Sequence, residues 1–189
     1  MANTRSSTGL RYTGSNMCSC GRGEMILPCG AGNLHKGERY VTLLINASFS
    51  EGDLDRYCNM DYIFGSTIST LDLLFVIISY DVACQWFTNL LSRIKFDWPD
   101  EIKPKAQLHI QPLIPKLHEP AHERTNHEQF SFNYRVGVGN TDGECPERIW
   151  SGHNALGNST KTQGPGSRHD MLDDHFGFWN WEKYKSMGM

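Results

Sequence analysis

The stretch LLFVIISYDVACQWFTNLLSRI, residues 73–94, decides the fold. Its first part, Leu73–Ser79, is a short and nearly continuous apolar run, which predicts a strand buried on both faces. From Val82 to Ile94 the apolar residues recur at helical spacing. A strand followed directly by a helix indicates an α/β protein, and Asp81 lies where the two elements meet.

The segments around this unit predict more helix than strand. Residues 59–71 predict a helix, and residues 108–117 predict a second strand that its two prolines restrict to an edge. Further elements are predicted as a short strand at 130–134, a helix from Pro146 to about Asn154 and a helix from about Arg168 to Lys185. The glycine-rich residues 1–37 predict a loop. This order predicts an α/β layer structure with few strands and several helices.

Length and charge exclude several classes of protein. The chain has 189 residues, enough for one domain with a core, and a formal net charge of −3, which excludes a protein coated with basic residues. Its apolar runs are too short for a membrane helix, which needs about 20 residues. Residues 1–14 lack the apolar stretch of a signal peptide, so we expect an intracellular protein. The six cysteines are then expected to be free thiols or metal ligands.

Asp81 is the first candidate for chemistry, because ligand-binding groups gather at the carboxyl ends of strands in α/β folds. The alternative is a helix N-cap, which is a common role for aspartate. A second candidate is the acidic segment TDGECPER, residues 141–148, which holds Asp142, Glu144 and Glu147. Its carboxylates offer the oxygen ligands that Mg²⁺ prefers, although acids also favour the start of a helix without any metal.

A third candidate is a zinc site. His118 and His122 are four residues apart, and Cys84 would complete a set of zinc ligands if the fold brings it close. Pro120 makes a regular helix between the histidines doubtful. The cysteines at 18, 20 and 29 lack the paired spacing of a structural zinc site.

Longer strings carry a more specific signal. Along the chain they are KGERY (36–40), YCNMDYIF (57–64), SYDVACQW (79–86), PKLHEPAH (115–122), FSFNYRVGVGNTDGECPERIW (130–150) and STKTQGPGSRHDMLDDHFGFWNW (159–181). In this order they resemble the fungal KDZ (Kyakuja-Dileera-Zisupton) DNA transposases, which often carry a cysteine-cluster domain upstream. The resemblance covers the chain from about Cys18 to Trp181.

The resemblance implies a ribonuclease-H-like core in which two aspartates and a glutamate hold Mg²⁺ or Mn²⁺ for cleavage and strand transfer of transposon DNA. Asp81 resembles the second acid of the family. Glu147 resembles the third, because the order P-E-R-x-W is similar to the S-E-R-x-F order around the helix-borne glutamate of hAT-type transposases. Glu144 is the alternative third acid. Lys116, Arg148 and Arg168 are predicted to contact DNA phosphates.

The resemblance also implies an incomplete core. The family's first aspartate lies on an early strand, upstream of the segment that matches here. We therefore expect residues 59–189 to be a partial catalytic core, preceded by a loop-rich segment at 1–58, and the chain to be inactive alone. The alternative is a non-catalytic transposon relic or a domesticated fragment that binds DNA or protein. The family implies a nuclear location and transposon DNA ends as partners.

One segment departs from the family pattern. The family continues from GERY directly into NMDY, whereas here Arg-Tyr occurs at 39–40 and again at 56–57. Deleting residues 40–56 restores GER-YCNMDY in frame. We hypothesise that this segment derives from a retained intron, the alternative being a genuine surface insertion.

Overall fold

The computed structural model describes residues 12, 14–34, 54–105, 107–122, 125 and 127–188. For residues 54–56 it describes the backbone only. Residues 40–53 of the hypothesised insertion lie outside this part of the chain, and residues 54–56 begin a helix. The division into a segment 1–58 and a core 59–189 stays a prediction.

The described residues form a mixed α/β protein, which confirms the predicted fold class. The strands are β1 (Gly14–Ser19), β2 (Ile26–Leu34), β3 (Phe75–Ser79) and β4 (His109–Leu113). The α-helices are α1 (Leu54–Ser69), α2 (Ala83–Trp86), α3 (Leu90–Phe96), α4 (Cys145–Thr160) and α5 (Pro165–Ser186). Short 3₁₀ turns occupy Asp100–Ile102, Glu119–Ala121 and Glu128–Phe130. None of the described helices is long and apolar enough to cross a membrane.

Strands β3 and β4 form a two-stranded parallel sheet, in which Phe75 lies opposite His109 and Ser79 opposite Leu113. The prediction that β3 is buried on both faces is wrong. Phe75 is 47% exposed and the rest of β3 is half-buried. Among the described residues β3 pairs with β4 alone, so one of its edges has no neighbouring strand.

The prediction of a loop at residues 1–37 is wrong for the described residues 14–34. Here β1 and β2 form an antiparallel hairpin. The hairpin contacts α1, and a Cβ atom on Gly32 would lie 2.8 Å from the side chain of Ile63. A glycine at this position therefore lets α1 pack closely on β2. The same residue weakens the apolar alternation by which a strand is recognised in sequence.

The prediction of a single helix from Val82 to Ile94 is also wrong. The chain forms two helices here, α2 and α3, with a turn at 87–89 between them. Both Trp86 and Leu90, on either side of the break, are buried in the main apolar cluster. Both helices therefore turn their apolar residues toward the same cluster, which explains the helical spacing of these residues in the sequence. At 130–134 the predicted strand is reduced to one parallel bridge between Ser131 and Ile114.

The two C-terminal helices agree with prediction in place and differ in length. The first runs to Thr160, past the predicted end near Asn154, and α5 begins at Pro165. Both helices pack against the hairpin in a second apolar cluster, which includes Met17, Ile149 and Phe176. This cluster fixes the start of α4 relative to the rest of the protein.

Candidate metal centre

Asp81 lies just after the carboxyl end of β3, and its side chain is 50% exposed. The alternative role as a helix N-cap does not fit the structure. The N-cap residue of α2 is Val82, and the helix start has no side-chain capping hydrogen bond. Asp81 is therefore held by the strand before it and presents its carboxylate at the edge of the sheet.

The acidic segment lies beside Asp81 because one hydrogen bond ties it to β3. The hydroxyl of Ser79 donates to the carbonyl oxygen of Gly143 at 2.9 Å. Gly143 has φ +81°, and a Cβ atom there would lie 2.4 Å from the Ser79 Oγ and 2.7 Å from the ring of Phe132. Only glycine fits both this backbone conformation and this close approach. The first turn of α4, with Glu147, starts from this fixed point.

Three side chains from separate segments converge here. Ligand atoms of Asp81, His118 and Glu147 all lie within 4.8 Å of one another. Asp81 comes from the end of β3, His118 from the loop after β4 and Glu147 from the first turn of α4. The convergence of Asp81 and Glu147 was predicted. The presence of His118 beside them was not, because its spacing from His122 indicated zinc.

Glu144 lies behind this group and is 4% exposed. Its Oε1 accepts a hydrogen bond from the backbone N–H of Leu117 at 2.7 Å, next to His118. The backbone N–H of Lys116 donates to the carbonyl oxygen of Asp142 at 2.9 Å. Glu144 therefore holds the loop that carries His118, which is a positioning role beside its alternative role as third acid.

The Nδ1 atom of His118 lies 3.6 Å from Asp81 Oδ1 and 3.6 Å from Glu144 Oε2. Both distances are too long for a hydrogen bond. Within the described residues the His118 Nδ1 and Glu144 Oε2 atoms are buried without a hydrogen-bond partner. Buried polar atoms are seldom left without a partner, and a bound ion or water is one of the arrangements that satisfies them.

The electrostatics of the group follow from its burial and its negative charge. Burial raises the pKa of Glu147, and the nearby carboxylates of Asp81 and Glu144 raise it further, while His118 opposes them. By contrast, a hydrogen bond from the backbone N–H of Glu144 lowers the pKa of Asp142. A divalent cation would relieve the repulsion around Glu147.

Comparison with known proteins decides the family. A family model described as KDZ, Kyakuja-Dileera-Zisupton transposase, matches residues 52–180, which span every member of the acidic group. The chain belongs to the KDZ transposase family. This confirms the resemblance seen in the sequence. Searches of curated proteins and of solved structures found no match.

The residues of this KDZ chain fit a divalent cation in chemistry and spacing. Carboxylate oxygens suit Mg²⁺ and Mn²⁺, and an imidazole is also accepted by transition metals. Ligand atoms about 2.1 Å from an octahedral ion are about 3 to 4 Å apart. The group, with its ligand atoms within 4.8 Å of one another and His118 Nδ1 3.6 Å from Asp81 Oδ1, is close to this spacing.

The predicted zinc set divides between two groups in the KDZ chain. His118 joins the acids, whereas the ligand atoms of Cys84, His122 and His127 lie within 4.8 Å of one another. Sequence reasoning missed His127, although it follows His122 at the H-x4-H spacing that zinc sites also use. Its position depends on the 3₁₀ turn Glu128–Phe130, which it caps.

The three residues predicted to contact DNA have different surroundings in the structure. Arg168 is 7% exposed, and its guanidinium donates to Thr160 Oγ1 at 2.6 Å, Ser15 Oγ at 2.7 Å and Asn33 Oδ1 at 3.2 Å. This network joins α4, α5 and the hairpin, and a contact of Arg168 with a DNA phosphate stays a prediction.

Arg148 bonds to Glu24 in the hairpin turn and, at 2.9 Å, to Asp142 Oδ2. Its charge is thus already balanced by two carboxylates, although its side chain is partly exposed. Lys116 is half-buried next to the loop that carries His118. Of the three predicted cations, Lys116 and Arg148 are nearest in sequence to the acidic group, two residues before His118 and directly after Glu147.

Proposed function

We propose that this chain is part of the catalytic core of a DNA transposase, in which Asp81, His118 and Glu147 bind a divalent cation for phosphodiester cleavage. The observation that carries the proposal is the convergence of the three side chains within 4.8 Å from three separate segments. Two of these residues are the ones that family resemblance selects as acids.

Each residue has its own part in the proposal. Asp81 and Glu147 supply carboxylate ligands, and His118 supplies a nitrogen. Glu144 orients the loop of His118 through the Leu117 N–H. When bound, the metal ions of such sites activate water or a 3′-hydroxyl and stabilise the leaving oxygen. Lys116, two residues before His118, and Arg148, directly after Glu147, are the cations that we propose for contact with a DNA phosphate.

The acid set of the proposal is incomplete within the described residues. The family implies a further aspartate on a neighbouring strand, and the described part of the chain pairs β3 with β4 alone. The sequence alone leads us to expect an inactive chain, but because His118 supplies a third ligand we propose weak cation binding and slow cleavage by this core. A nuclear location and transposon DNA ends as the substrate belong to the same proposal.

DNA nicking tests the function directly. With Mn²⁺ and supercoiled plasmid bearing the ends of the element, we expect slow nicking that Asp81→Asn abolishes. Asp174→Asn, an exposed aspartate on α5, is the matched control and should nick like the unchanged protein. Nicking that survives Asp81→Asn would remove Asp81 from the mechanism. Mn²⁺ binding without any nicking would favour the non-catalytic relic instead.

A further inference from the structure

We propose that Cys84, His122 and His127 form a second metal site, which binds Zn²⁺ and is separate from the acidic group. The three residues come from α2 and from the loop between β4 and α4. Their ligand atoms lie within 4.8 Å of one another and all three side chains are half-buried. One thiolate and two imidazoles are ligands that zinc prefers over magnesium or calcium.

The distance between the first two ligands suits a tetrahedral ion. The Sγ atom of Cys84 lies 3.7 Å from the Nδ1 atom of His122. With zinc about 2.3 Å from sulfur and about 2.0 to 2.1 Å from nitrogen, tetrahedral geometry separates the two ligand atoms by roughly 3.5 Å. The sulfur and the nitrogen are therefore already spaced for zinc without a change of rotamer.

The third ligand is held in the required tautomer. The Nδ1 atom of His127 lies 3.1 Å from the carbonyl oxygen of Thr125. A carbonyl oxygen only accepts, so Nδ1 carries the proton and Nε2 keeps its lone pair. Zinc-binding histidines commonly donate their second ring nitrogen to a carbonyl or carboxylate in this way. The His122 and His127 rings lie side by side, with centroids 5.6 Å apart.

The burial of the group also favours a metal over free side chains. Zinc binds cysteine as the thiolate, and its positive charge compensates that of the half-buried sulfur. Three protein ligands leave the fourth tetrahedral position to a solvent molecule. The described ligands thus form a site of the Cys-His-His type.

The zinc site would join the two segments that carry the acidic group. Cys84 follows Asp81 by three residues, and His122 follows His118 by four. An ion bound to Cys84 and His122 therefore fixes the start of α2 against the loop after β4. Zinc binding itself does not depend on the proposed function, whereas this positioning effect rests on it.

Metal analysis and cobalt substitution of the full chain test the proposal. We expect the purified protein to retain one zinc ion per chain. Its Co²⁺ form should show the intense visible bands of tetrahedral cobalt and a near-ultraviolet thiolate charge-transfer band. Cys84→Ser should remove the charge-transfer band and weaken the zinc affinity at least tenfold. Cys29→Ser, an exposed free cysteine, is the matched control and should leave both unchanged.

Two outcomes would overturn the zinc site. One is a wild-type protein that retains no zinc and gives only the weak bands of octahedral cobalt. The other is a charge-transfer band that persists in Cys84→Ser, which would assign the thiolate to a different cysteine. His127→Gln is the second variant, because it keeps a polar side chain on the loop. It should weaken zinc binding while far-ultraviolet circular dichroism shows that the fold is unchanged.

Discussion

Replacing Arg93 by alanine should lower the free energy of unfolding by about 3 to 5 kcal/mol, because it leaves the carboxylate of Asp61 buried without its counter-ion. Asp61 and Arg93 are each only 5% exposed. The Arg93 Nε donates to Asp61 Oδ2 at 2.6 Å, and Nη2 donates to Oδ1 at 3.1 Å. A bidentate pair of this kind is strong only while both partners are present.

The pair is the centre of a larger buried network. The indole N–H of Trp86 donates to Asp61 Oδ1 at 2.7 Å, and that of Trp98 donates to Oδ2 at 3.2 Å. Arg93 Nη2 also donates to the carbonyl oxygen of Trp86 at 2.9 Å. The network thus ties α1 to α2, to α3 and to the segment after α3. It explains structurally why an aspartate stands in NMDY and a tryptophan in ACQW.

Urea unfolding followed by tryptophan fluorescence measures the loss. Arg135→Ala is the matched control, since Arg135 is exposed and its substitution should change the free energy of unfolding by no more than about 0.5 kcal/mol. The double variant Asp61→Asn with Arg93→Gln removes both charges, keeps an amide oxygen as an acceptor for an indole N–H, and should cost less than Arg93→Ala alone. An Arg93→Ala protein as stable as the Arg135→Ala control would contradict this account of the core.

The second large effect is on cation binding. Asp81→Asn should weaken Mn²⁺ affinity by at least about tenfold, because it removes a charged ligand, and loss of even an outer partner of a ligand costs about 10- to 100-fold. Isothermal titration of zinc-loaded protein measures the affinity, and zinc loading keeps Mn²⁺ away from Cys84. Asp174→Asn should bind Mn²⁺ as the unchanged protein does. Equal affinities for all three proteins would place the cation elsewhere.

The pH dependence of that affinity follows from Glu147. Its pKa is raised by burial and by the neighbouring carboxylates, so the folded protein keeps a proton there above the usual range of a glutamate. In that range Mn²⁺ must displace the proton, and affinity should rise as the pH rises through the raised pKa. Without metal, the stability of the fold has the opposite pH dependence. The free energy of unfolding falls as the pH rises over the same range, because the folded state binds a proton that the unfolded state has lost. Glu147→Gln should flatten both dependences.

The sequence alone predicts those helices and strands that have a recognisable pattern within their own residues. The apolar run before Asp81 predicted β3, and the spacing around Pro146 and Arg168 predicted α4 and α5 in place. The fold class follows from these elements, and the resemblance to KDZ transposases rests on strings that the family match also covers.

The rest depends on contacts between distant segments. The β1–β2 hairpin was missed because its glycines, such as Gly32, serve close packing against α1 and interrupt the alternation of a strand. His118 was assigned to zinc from its spacing to His122, whereas its position is set by Glu144 through the Leu117 N–H. The fold buries Arg168 between two helices and the hairpin, which no local pattern indicates, and its contact with a DNA phosphate stays a prediction.

The central claim is that Asp81, His118 and Glu147 bind one divalent cation together. Pulsed electron paramagnetic resonance of Mn²⁺ bound to zinc-loaded protein tests it most directly. The account predicts a nitrogen hyperfine coupling from one histidine, which His118→Ala removes and His109→Ala, in β4, leaves unchanged. Bound Mn²⁺ without a nitrogen coupling, or with a coupling that survives His118→Ala, would contradict it.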